Sequence, residues 1–87
     1  MNNTQQLALM DKILRELDDL KNSQTSVLKK IAQIEADNIN LGSAELNDAL
    51  PGIHEEVDAA VTKVTELMDQ FKEKRDEFQR DNPVSEQ

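Results

Sequence analysis

From Leu7 to Leu41 the apolar side chains recur in one phase over five heptads. With Met10 at position a, the a column reads Met10, Leu17, Gln24, Ile31 and Asn38. The d column reads Ile13, Leu20, Val27, Ile34 and Leu41, and position e adds Leu7, Leu14 and Leu28. A stripe of that period and width predicts an amphipathic helix over about residues 4–40 that packs on other helices. Asn3 or Thr4 suits its N-cap. The run Asn22-Ser23-Gln24-Thr25-Ser26 is the weak point, because short polar side chains compete for backbone hydrogen bonds. The a/d phase is the same on both sides of that run, which predicts one continuous helix.

The periodicity lapses after Leu41. Gly42 suits a helix C-terminus and Pro51-Gly52 is a strong punctuation mark, so residues 41–51 read as a connection, with room for one or two helical turns in Ser43 to Ala49. A second helix over about 52–81 has Val57, Val64, Phe71 and Phe78 at a, Ile53, Ala60 and Leu67 at d, and Val61 and Met68 at e. Pro51 fits its first turn, and Glu55, Glu56 and Asp58 suit its positive end. Lys74 and Arg75 take the next d and e places. Asn82-Pro83 ends the helix, and residues 82–87 read as a flexible tail.

Two long helices joined by about ten residues predict an all-α antiparallel hairpin or coiled coil in one helical domain, 1–87. Folding back near residues 42–51 sets Phe71 near Leu20, Phe78 near Met10 to Leu14, and Ala60 against Ile31 to Ile34. Each stripe is a/d/e wide, broader than a two-stranded seam, which predicts self-association, most simply two hairpins in a four-helix bundle. A parallel trimer is the competing geometry. Ile31 and Ile34 favour it, and Gln24 and Asn38 at a positions would fix its register.

Composition narrows the function classes. Charged residues make up 32% of the chain, and Phe71 and Phe78 are its only aromatics, which suits an elongated helical protein. There is no Cys, so disulfides and thiolate metal sites are ruled out. The longest apolar run, Leu7 to Met10, is too short for a bilayer, and no basic-then-apolar leader opens the chain. These features predict a cytoplasmic protein, or a component of a particle assembled inside a cell. The net charge of −8 is concentrated in residues 37–58, where Asp37, Glu45, Asp48, Glu55, Glu56 and Asp58 stand without a base. That balance disfavours nucleic acid and anionic lipid as partners.

Candidate chemistry is sparse. His54 and Asp58 make an i, i+4 pair, but two ligands are too few for a structural zinc site. Asp37 to Asp48 has Gly42 at the sixth place of a calcium loop, yet Ile39 and Leu41 stand where oxygen ligands belong. Ser23, Ser26, Ser43 and Thr62 have no base to activate them, and no Gly-rich phosphate loop is present. Asn2-Asn3-Thr4 matches a glycosylation sequon without a secretory context. Lys72, Lys74 and Arg75, interleaved with Glu73, Asp76 and Glu77, read as a salt-bridged surface. On the outer face of the first helix Asp11–Arg15–Asp19 and Lys12–Glu16 are spaced for pairing.

No cofactor, metal or catalytic residue is therefore expected. The leading expectation is a non-enzymatic assembly protein that binds itself and another protein through its a, d and e side chains. Two further classes fit less of the chain. One is an acidic inhibitor or mimic that docks residues 37–58 on a basic, nucleic-acid-binding protein. The other is a small chaperone for a helix of a secreted or virion protein.

Overall fold

The computed structural model describes residues 1–83, and within them two helices run α1(Asn3–Leu41) then α2(Ala44–Asp81). They fold back on one another as a hairpin 62 × 19 × 16 Å. Its radius of gyration is 19.4 Å, against about 12 Å for a compact chain of this length.

Helix α1 opens one to two residues earlier than the pattern suggests. Its N-cap is Asn2, not Asn3 or Thr4: the Asn2 side chain accepts from the Gln5 N–H at 2.8 Å, and the Gln5 side chain accepts from the Asn2 N–H at 3.0 Å. Asn2 and Gln5 thus form a reciprocal capping box; Thr4 has Leu7 three residues on and cannot form one. The polar run 22–26 stays helical. Thr25 donates to the Lys21 carbonyl at 3.0 Å and Ser26 to the Asn22 carbonyl at 3.1 Å, so their hydroxyls bond back along the helix and do not break it.

The connection is far shorter than the expected 41–51. Gly42, at φ 72°, closes α1 in the left-handed region, its N–H donating to the Asn38 carbonyl at 2.7 Å. Ser43 is already the N-cap of α2, its hydroxyl accepting from the Leu46 N–H. Glu45 is the acid of the first turn, while Glu55, Glu56 and Asp58 lie well inside the helix. Pro51 is the eighth residue of α2, not part of its first turn. It removes one ladder bond, to the Asn47 carbonyl. Leu50 beside it is 7% exposed, and burying that side chain holds the segment against α1 despite the missing bond. Replacing Pro51 by Ala is therefore expected to stabilise the hairpin by about 1–3 kcal/mol, read as a higher urea midpoint at fixed protein concentration.

At the far end Asn82 caps α2, its N–H reaching the Phe78 carbonyl at 2.9 Å and its side-chain amide the same oxygen at 3.2 Å. Of the expected tail, 82–87, Asn82 is the cap of α2, and Val84 to Gln87 lie outside the described residues.

Candidate functional site

Three cross-helix contacts fix the register of the hairpin. Beside the turn, the Asn38 amide donates to Asn47 Oδ1 at 2.8 Å and to the Ser43 carbonyl at 3.2 Å, while Asn38 Oδ1 accepts from the Ser43 N–H at 2.8 Å. Further along, His54 Nδ1 lies 3.1 Å from Glu35 Oε1. Near the open end, Arg75 Nε donates to Asp11 Oδ1 at 2.8 Å, and its Nη2 to Asp11 Oδ2 at 3.4 Å. This register brings Leu20 level with Leu67, Val27 with Ala60, and Ile34 with Ile53. Ala60 is therefore one turn away from the Ile31–Ile34 level expected for it, and Phe71 is level with Leu17, not Leu20, because the two-residue turn moves the fold-back point toward the N-terminus.

The eighteen seam candidates divide into two sets. The a and e columns meet between the helices. Ile31 is buried, and Met10, Leu14, Leu17 and Leu28 are half-buried against Val57, Val61, Val64, Met68, Phe71 and Phe78, which are half-buried in turn. The d columns turn outward. Leu20, Val27, Ile34, Ile53 and Leu67 are 44–49% exposed and Leu41 is 74% exposed, while Ile13 and the small Ala60 are half-buried. In helices running opposite ways, equivalent columns fall on the same side of the shared seam. Both d columns therefore line one side of the hairpin, an apolar face that runs from Ile13 to Leu41 on α1 and from Leu46 to Leu67 on α2, where Lys74 ends it. The opposite flank carries the b column, where Asp11, Thr25 and Thr65 are half-buried.

Almost nothing between the helices is shielded from water. Among the described residues Ile31 and Leu50 are the buried apolar side chains, and Asn38 joins them at 4% exposed. Gln24, at an a position, has its Oε1 buried without a hydrogen-bond partner. That atom has lost its water and gained nothing, so Gln24→Leu is expected to raise stability by about 1–2 kcal/mol in chemical unfolding.

The polar candidates are dispersed. His54 faces Glu35 across the seam and does not pair with Asp58, because residue 54 stands at an e position of a helix that starts eight residues earlier than expected. Among the described residues no group of three His, Cys, Asp or Glu side chains is placed to hold a metal. Asp37, Glu45, Asp48, Glu55, Glu56 and Asp58 are all exposed, but they fall on b, c, f and g columns and ring the turn-proximal half of the rod without sharing a direction.

Neither expected run of pairs on α1, Asp11–Arg15–Asp19 or Lys12–Glu16, forms. Asp11 turns to Arg75, whose Nη1 also reaches Asp76 Oδ1 at 3.2 Å and Gln79 Oε1 at 2.8 Å. The hydrogen bonds it donates, first to Asp11 and then to Asp76, hold the Arg75 guanidinium above its ordinary pKa. Lys74 pairs loosely with Glu77, at 3.9 Å, on the outer surface. An open cleft of about 460 Å³ beside the turn is lined by Ala32, Ala36, Ile39, Leu50 and Pro51, with Glu35 its one acid.

Among the described residues no helix is long and apolar enough to cross a membrane. No protein-family model, no curated protein and no solved structure matches this chain.

Proposed function

We propose that the protein is a non-enzymatic assembly protein whose hairpins associate through their d-column faces, forming a helical bundle that joins or spaces other proteins. One observation carries this reading: the apolar d residues of both helices lie on one side of the rod and stay about half exposed. Scattered surface leucines need no explanation, but a continuous apolar face along a rod does.

Two further features support it. The chain has 6608 Å² of accessible surface, against about 5,200 Å² for a compact monomer of this mass. The hairpin also has so few buried apolar side chains that a second layer of helices is the natural source of a core. The acidic residues, pointing several ways round the turn, serve solubility and keep phosphate backbones and anionic lipid away.

The test is molar mass in solution. Sedimentation equilibrium from 1 to 100 μM is expected to give at least twice the 9.9 kDa chain mass, with a melting temperature that rises with concentration. A helical monomer at 100 μM with a concentration-independent melt would overturn the proposal.

A further inference from the structure

We infer that the partner covering the d face is a second copy of this chain, related by a two-fold axis through the Val27/Ala60 level, with the two turns at opposite ends of the bundle. This inference rests on the association proposed above and adds its geometry.

The spacing of the face is symmetric about that level. In α1 the d column runs Ile13, Leu20, Val27, Ile34, Leu41, apolar for two heptads on either side of Val27. In α2 Leu67 and Ile53 flank the small Ala60, one heptad to each side. The narrow Val27/Ala60 layer thus lies midway between the wide Leu20/Leu67 and Ile34/Ile53 layers. A rotation about this level puts Leu20 over Ile34 of the second copy, Ile13 over its Leu41, and Leu67 over its Ile53. Every apolar d residue from Ile13 to Leu41 is then covered by another, including Leu41, the most exposed of them. The face is about 42 Å from Ile13 to Leu41 and, with the rod 19 Å across, offers roughly 800 Å² per copy, the size of a standard stable interface.

The alternative two-fold axis runs along the rod and sets both turns at one end. It fares worse on charge. It stacks the six acids of residues 37–58 on the same six of the second copy, with no Lys or Arg among them. With the turns at opposite ends, the acidic halves are separated by the length of the bundle. Lys74 comes level with an apolar d residue in either geometry, Leu46 here and Ile13 with a common end, so it does not separate them. Along the edges the balance is small either way. Opposite ends give Glu56 with Lys63 but also Glu16 with Asp37, whereas a common end gives Lys30 with Glu56, and exposed pairs of this kind contribute a few tenths of a kcal/mol. Coverage of the apolar columns is nearly equal in the two geometries, and separation of the acidic ends decides the orientation.

Because the chain lacks Cys, single introduced thiols report position cleanly. A nitroxide on Asn40→Cys, an exposed site thirteen residues from Val27, should show a pairwise distance of about 40 Å in the full-length protein. A distance below about 30 Å would mean a common end and would overturn the inference while leaving self-association intact. In an independent measurement, oxidation of Val27→Cys alone should give a covalent dimer. Leu20→Cys alone should not, but mixed with Ile34→Cys it should. Cross-linking of Val27→Cys only when mixed with Ala60→Cys would also overturn the orientation. A labelled protein that remains monomeric at 100 μM removes the association itself, and this inference with it.

Discussion

Val27→Glu is expected to weaken association by at least 100-fold, about 2.7 kcal/mol, and to leave monomers at concentrations where the parent chain is assembled. The substitution is mild for the isolated hairpin. Val27 is 45% exposed there, and Glu is a better helix former than Val. In the proposed assembly the same position lies on the two-fold axis, so two carboxylates would meet in an apolar layer and each would give up water without gaining a partner. The matched control is Asn22→Glu, which adds the same charge at an exposed f position on the far side of α1. Sedimentation of the two variants side by side should show the control assembled and Val27→Glu dispersed. Equal mass for both would mean the d face is not the contact.

That experiment also measures how far folding depends on association. The hairpin has two buried apolar side chains among its described residues, and helices in water owe most of their stability to tertiary packing. If the second copy supplies the missing layer, Val27→Glu should lose helicity on dilution although Glu is a better helix former than the Val it replaces. Oligomer stability and protomer stability are then one quantity set by concentration.

The helices were legible because periodicity over five heptads is a strong signal, and it outweighed the weak propensities of residues 22–26. What the wheel does not reveal is how a wide stripe is shared out. The d column of α1 is wholly apolar, whereas e also holds Lys21 and Glu35, yet the structure turns a and e inward and d outward. A tilt of the seam toward e explains why Glu35, His54 and Arg75, all at e positions, became the cross-helix contacts. Heptads phased on the d column have no reason to single them out.

The turn was misjudged for a local reason. Pro51-Gly52 punctuates most chains, yet here the capping pair Gly42 and Ser43 already reverses the chain, and burial of Leu50 carries the helix through the proline. The overlooked signal was Asn38. An Asn at an a position reads as a device for fixing register among helices of an oligomer, and beside a Gly-Ser pair it serves a nearer purpose. That misreading also lent support to the trimer, which the observed hairpin does not need.

Asn38→Leu is accordingly expected to destabilise the hairpin by about 2–3 kcal/mol, although it places an apolar side chain of similar size at a buried a position. At 4% exposed, Asn38 donates twice and accepts once, joining the Ser43 backbone and the Asn47 side chain in the two-residue turn. Leucine keeps the volume but strands the Ser43 N–H and leaves Asn47 Oδ1 without its donor. Removing only the outer partner, Asn47→Ala, should cost about 1 kcal/mol, and the double variant should show coupling of about the same size. Urea unfolding at one fixed protein concentration gives all three numbers. Unchanged or increased stability in Asn38→Leu would mean the turn is held by Gly42 and Leu50 alone, and that the amide at position 38 is retained for the oligomer after all.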